Sequence, residues 1–282
     1  MKLPSLYVPS NLQDALARLN ANSGARPIAG GTDLLLGVKR GKISCSEMVN
    51  LGSLSELRYI TQEGNRIRIG ALTTIAQIEN SDLIARYIPA VTAAASCLGS
   101  WQIRTTATLG GNLCNAAPSA EMAPPLIALG AEVRLVSLGG DRTVPLESFF
   151  VGPGSTVLRP GEILQEVIIP IPTSEVQTTY LRHSLKRSTD IAVVNVAVAL
   201  RLSAGKAEDV RLVLGAVAPT PIRARAAESI LEGNSPTMAT IVRAAEEASK
   251  ECSPISDLRG SADYRREMVR VYVKRALANW AA

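Results

Sequence analysis

Two double-glycine segments stand about eighty residues apart: Ala29-Gly30-Gly31-Thr32-Asp33 and Thr108-Leu109-Gly110-Gly111-Asn112. Glycine lets a backbone approach an oxyanion closely and reach positive φ, so successive N–H groups can point at one phosphate. A helix N-terminus adds partial positive charge, and the apolar run Leu34-Leu35-Leu36 continues the first segment as a helix. Thr32, Thr108 and Asn112 supply side-chain donors. Two such loops face to face would grip a pyrophosphate with no lysine and no metal. Each alone also fits an ordinary tight turn. Neither carries the three spaced glycines of a dinucleotide fingerprint, and no Walker-type Gly-Lys-Ser/Thr occurs, which argues against a nicotinamide Rossmann domain or a P-loop nucleotidase.

Other reactive side chains are sparse. His183 is the single histidine, and Cys45, Cys97, Cys114 and Cys252 include no two at metal-ligand spacing. A hydrolytic triad could be built only on His183, and a zinc site would need ligands from distant segments. No metal and no catalytic side chain is therefore assigned, and the pattern favours an organic cofactor that carries its own chemistry. His183 itself, beside Arg182, reads as facing solvent or a partner. Basic residues number 30 against 25 acidic, for a net charge of +5, and they are dispersed along the chain. With aromatic residues at 4%, stacking platforms are scarce and nucleic-acid binding is not expected. No apolar run is long enough to span a bilayer, and no leader-like segment opens the chain; a cytoplasmic protein with reduced thiols is the expectation.

The elements that must position these residues follow from periodicity. The 282 residues suffice for two or three packed subdomains. A strand at Leu6 to Val8 leads to a helix with Leu12, Ala15, Leu16 and Leu19 on one face, for which Ser10 and Gln13 read as a capping box. Arg26 to Ala29 is a short strand ending at the first glycine pair. Residues 57 to 71 read as a β-hairpin with Ile67 and Ile69 inward. Thr73 or Thr74 caps a short helix, Ser81 opens another that Pro89 divides, and Gly99 closes it. Thr105 to Pro118 reads as a long loop, followed by a helix through Leu126 to Leu129 and an alternating strand from Glu132 to Ser137. Pro170 to Glu175 is the best boundary. Beyond it come a strand pair, 191–202 and 210–217, and three helices.

Pro27 to Leu34, Arg68 to Thr74 and Gln102 to Pro118 resemble, in order, segments of the flavin subunit of the xanthine dehydrogenase and carbon monoxide dehydrogenase family, the molybdenum hydroxylases. The likeness continues through Gly152 to Gly154, Pro160 to Leu164, Lys186 to Ala192, Gly215 to Pro221 and Asp263 to Arg266, nearly the whole chain. It implies an α+β protein: a vanillyl-alcohol-oxidase-type FAD-binding fold of two subdomains (1–55 and 56–172) and a C-terminal α+β domain (173–282) with an antiparallel sheet and helices. It further implies that Ala29 to Asp33 and Thr108 to Asn112 hold the pyrophosphate of FAD, with Pro27, Ile28 and Leu34 lining the first loop. Glu121 stands where the family usually places an aspartate that contacts ribityl or sugar hydroxyls. Leu98 and Leu164 match apolar positions beside the cofactor and equally fit ordinary core leucines. Arg182 occupies a position where a lysine is frequent near the flavin, and Ile191 matches a residue packed over the isoalloxazine edge. Otherwise Arg182, Lys186 and Arg187 form a solvated basic face. The implied partners are a molybdopterin-binding large subunit, a [2Fe–2S] small subunit and an external acceptor (quinone, NAD or oxygen). The competing readings are a self-contained flavin-dependent oxidoreductase of the same fold and a flavin-free scaffold.

Overall fold

The computed structural model describes residues 4–186 and 189–281, so Arg187 lies outside the described residues. The first elements are β1 (Ser5–Tyr7), α1 (Leu12–Ala21), β2 (Ala25–Ile28), α2 (Leu34–Lys39) and β3 (Glu47–Asn50). They form a three-stranded parallel sheet in the order β1-β3-β2, closed by Ala15, Leu16 and Leu19 of α1. The α1 cap differs from the expected box by one residue. Asn11 is the N-cap and accepts from the Asp14 N–H, while the Asp14 carboxylate accepts from the Ser10 N–H at 2.8 Å. The Asp14 carboxylate thus holds the residue before the cap, so α1 has an asparagine N-cap without a closed capping box.

Next come β4 (Ile60–Glu63), β5 (Arg66–Gly70), the helices α3 (Ile75–Glu79), α4 (Asp82–Tyr87), α5 (Pro89–Cys97), α6 (Trp101–Arg104), α7 (Leu109–Cys114) and α8 (Ala123–Ala128), then β6 (Glu132–Ser137), β7 (Gly140–Pro145), β8 (Phe150–Gly152), β9 (Ser155–Thr156) and β10 (Ile163–Pro170). Strands β4-β5-β10-β6-β7 make a five-stranded antiparallel sheet. Thr74 is the cap of α3, in a complete capping box with Gln77. Pro89 sits in the first turn of α5, where its missing N–H costs nothing.

The last part holds β11 (Val176–His183), β12 (Val194–Ser203), β13 (Lys206–Gly215), β14 (Ile222–Arg223), α9 (Arg225–Leu231), α10 (Met238–Lys250) and α11 (Ala262–Ala278). The four strands form one antiparallel sheet in chain order. Strand β12 is apolar on both faces because both are covered. Val196, Val198 and Leu200 pack under α9 to α11, whereas Ala197 and Ala199 join the central core with α5 and α8. Small alanines on that side let α8 approach β12 closely, while Ala90, Ala94 and Ala95 of α5 belong to the same core and α5 lies against the neighbouring β11.

Candidate cofactor-binding site

The first glycine pair leaves β2 and abuts the segment that leads into α7. A Cβ on Gly30 would lie 2.0 Å from the Thr106 carbonyl oxygen, so only glycine fits there. Gly31 has φ of +70°, the left-handed turn that directs the chain into α2. Between the two segments runs a cleft of about 260 Å³ lined by Ala29, Gly30, Gly52, Arg58, Leu72, Thr74, Thr105, Thr106 and Thr108. Its lining includes no carboxylate. The backbone N–H groups of Gly30, Gly31, Thr32 and Asp33 form no hydrogen bond within the described chain. A slightly larger hollow, about 290 Å³, lies on the five-stranded sheet among Arg66, Arg68 and Arg134. Those cations are already paired with Glu132, Glu63, Glu166 and Asp141, so the smaller cleft is the better anion site.

The second glycine segment works differently from the expectation. Thr108 caps α7, and Gly110 and Gly111 lie inside its first turn instead of in a loop. Their N–H groups are spent within the chain. Leu109 donates to Thr73 O at 3.0 Å, Gly110 to Ala71 O at 2.8 Å, Gly111 to Thr108 Oγ1 at 3.1 Å and Asn112 to Thr108 O at 2.9 Å. Gly110 is required by packing, since a Cβ would come within 2.8 Å of the Ala71 side chain. Gly111 has no positive φ, and only Thr108 Oγ1 lies near its missing Cβ. The segment therefore supplies a shaped wall and the threonine hydroxyls, while the first loop supplies the free amides. Asn112 contributes a buried Oδ1 with no partner.

Pro27 and Ile28 are on β2 and lead into the first loop. Leu34 is half-buried, and the next two leucines are exposed. Leu98 and Leu164 are buried in the central core, and Ile191 is 45% exposed. Glu121 and Arg182 meet in a sealed polar cluster. Arg182 Nε is 2.9 Å from Glu121 Oε1, an ion pair without an aligned N–H bond, and the Tyr180 hydroxyl donates to the same carboxylate. Burial pushes the Glu121 carboxyl up to about 7, against the lowering effect of Tyr180 and Arg182. Arg182 also donates to Cys97 O at 3.1 Å and to Asp190 O. The expectation of a solvated basic face thus fails at Arg182, whose charge is held inside by Glu121.

His183 departs from its expected exposure as well. It is half-buried, with Nε2 2.8 Å from the Tyr264 hydroxyl and Nδ1 3.3 Å from that of Tyr272, so it ties β11 to α11. Sequence reasoning passed over Arg58, Thr74, Thr105 and Thr106 in the cleft lining. The threonines lay in quoted motifs without being assigned; Arg58 fell inside the stretch read as a hairpin, although the first strand begins only at Ile60, and it carries no local signal.

The sequence matches two family models: "FAD binding domain in molybdopterin dehydrogenase" over residues 2–172 and "CO dehydrogenase flavoprotein C-terminal domain" over residues 179–280. It is 33% identical to the xanthine dehydrogenase FAD-binding subunit of Escherichia coli, covering 99% of this chain and 96% of that one. It is 34% identical to the glyceraldehyde dehydrogenase medium chain of Sulfolobus acidocaldarius, covering 94% of each. Among solved structures, a chain of the carbon monoxide dehydrogenase of Hydrogenophaga pseudoflava superimposes with a TM-score of 0.96 at 33% identity, covering 99% of this chain and 97% of that one. A chain of quinoline 2-oxidoreductase from Pseudomonas putida gives a TM-score of 0.94 at 30% identity, covering 99% and 98%.

Proposed function

We propose a role that proceeds from one premise: the chain belongs to the family of FAD-binding subunits of the molybdopterin-containing dehydrogenases. It is the flavoprotein component of an oxidoreductase of that class. On our reading it takes electrons from the [2Fe–2S] clusters of a small partner subunit and passes them to an external acceptor. Those electrons originate in substrate oxidation at a large molybdopterin-binding subunit. The division into subdomains at 1–55, 56–172 and 173–282 belongs to the same reading.

The residues present fit the cofactor. A diphosphate needs unpaired donors and no carboxylate in the lining, and the cleft at Ala29 and Gly30 offers both, with the unpaired amides of Gly31 to Asp33 following in the same loop. That pairing of free amides with an acid-free cleft is the observation that carries the proposal. The unpartnered Asn112 Oδ1 would accept from a cofactor hydroxyl or N–H. When bound, FAD supplies reversible two-electron storage that amino-acid side chains lack. The chain's own residues bind and orient it. Gly30 and Gly31 shape the first loop, Thr106 and Thr108 form the opposite wall, and Arg182 joins the end of α5 to the residue preceding Ile191.

The test mixes the purified, flavin-loaded chain with substrates of the whole complex, alone and then with both partner subunits, and follows bleaching of the flavin band. Bleaching only with the partners present is expected. Rapid bleaching of the chain alone would overturn the subunit role in favour of a self-contained oxidoreductase.

A further inference from the structure

We propose that Arg58 is a cofactor-binding residue whose guanidinium engages the diphosphate in the cleft between the two glycine segments. The inference rests on the FAD reading above and assigns the cation that the cleft's neutral lining otherwise lacks. Arg58 follows a 3-10 turn, Ser55–Leu57, and stands next to fully buried Leu57. The Leu57 carbonyl accepts from the Leu72 N–H at 2.8 Å, and Leu72 is itself buried against the cleft. Arg58 Nε reaches back over this joint to the Leu72 carbonyl at 3.4 Å, so the side chain, exposed to solvent, is tethered at the edge of the cleft it lines.

Among the described residues no carboxylate pairs with Arg58, and its two terminal nitrogens make no hydrogen bond. Its acidic neighbour Glu56 is turned away, accepting from the Leu12 N–H at 3.2 Å. The other cleft residues are glycine, alanine, leucine and threonine. A dinucleotide diphosphate carries two negative charges, and the free amides of Gly30 to Asp33 offer only partial positive charge against them. A guanidinium with two unused forks supplies a full charge and the planar, bidentate geometry that phosphate oxygens match. Lysine in its place would keep the charge and lose the fork.

The experiment strips flavin from the full-length protein and titrates it with FAD, ADP and riboflavin across a salt series, reading flavin fluorescence quenching or, for ADP, competition. Arg58→Ala should weaken FAD and ADP by about 10- to 100-fold, the range of a charge-assisted hydrogen bond. Its FAD affinity should fall less steeply with salt, and riboflavin, which has no phosphate, should bind as in the wild type. Arg58→Lys should fall between the two. Arg58→Ala that binds FAD and ADP like the wild type overturns the proposal, and so does an equal loss for riboflavin, which marks a merely structural role. Arg58→Gln takes the same tests if the alanine variant does not fold, with unchanged FAD affinity again the overturning result. A wild-type chain that binds no FAD would instead remove the functional reading above.

Discussion

Arg182 Nε lies 2.9 Å from Glu121 Oε1, with only 6% and 8% of the two side chains exposed. The same guanidinium bonds the carbonyls of Cys97, next to Leu98, and of Asp190, next to Ile191. One buried cation therefore joins the end of α5 to the segment after β11, and one carboxylate holds the cation. Arg182→Ala leaves that carboxylate unpaired in the interior, which costs about 3–5 kcal/mol and lowers the unfolding midpoint. Arg182→Lys should recover only part of it, since a single ammonium cannot reach all three oxygens.

The pair also carries opposite charges toward any flavin nearby. Arg182→Ala should lower the flavin midpoint potential and Glu121→Gln should raise it, each by about 30 mV, equivalent to about 1.4 kcal/mol for a two-electron couple. Spectroelectrochemical titration of the loaded proteins checks this. Identical potentials in the three proteins would take the pair out of flavin tuning.

Burial raises the Glu121 carboxyl from 4.5 to about 7. The folded chain then binds this proton more tightly than the unfolded chain does. Stability from this group is greatest below about pH 4.5 and falls as pH rises towards 7, by roughly 3 kcal/mol at most. Glu121→Gln cannot titrate and should flatten that part of the profile. Denaturation midpoints measured from pH 5 to 8 for the two proteins decide it; parallel curves would mean that the carboxylate is ionised throughout.

The first loop and some of the strands were legible because their signals are local, whereas β3, β7 and the central strand β10 went unread. Alternation at Glu132 to Ser137 gives β6, Thr74 with Gln77 gives the α3 cap, and Pro89 gives the break between α4 and α5. The second glycine segment was misread for an equally physical reason. Two glycines and an asparagine lower helix propensity, but Thr108 caps the turn, and Thr73 and Ala71 accept its first N–H groups. Those acceptors come from a strand end nearly forty residues away. Glu121 with Arg182, and His183 with Tyr264 and Tyr272, are likewise pairings across the fold, and no sequence window contains both partners.

That difference between the glycines is testable. Gly30→Ala places a Cβ 2.0 Å from a backbone oxygen that cannot swing aside, so it should abolish FAD retention. At Gly111 the added methyl meets only the Thr108 hydroxyl, at 2.9 Å. Disturbing that cap costs about 1 kcal/mol, and alanine returns about the same inside a helix, so Gly111→Ala should remain folded and flavin-loaded. The flavin-to-protein absorbance ratio after purification reads both. A colourless Gly111→Ala protein would show that the second segment touches the cofactor more closely than its spent amides indicate.

His183 offers a titration of the opposite sign. Burial, followed by the charge of Arg275, holds its pKa below the ordinary 6.5. The Arg275 guanidinium stacks on the Tyr272 ring at 5.1 Å, and the two tyrosine hydroxyls engage both ring nitrogens of His183. The fold thus favours neutral imidazole, and the unfolded chain takes up the proton first as pH drops. Stability from this contact is present above about pH 6.5 and is lost as the pH falls through the lower folded-state value. His183→Gln keeps a polar bridge that does not titrate. In a Glu121→Gln background, which removes the opposing slope, the protein with His183 intact should lose unfolding midpoint between pH 7 and pH 5, and the added His183→Gln change should abolish most of that loss. Superimposable profiles for the two proteins would mean that the imidazole protonates equally well folded and unfolded, and that its contacts with Tyr264 and Tyr272 are indifferent to charge.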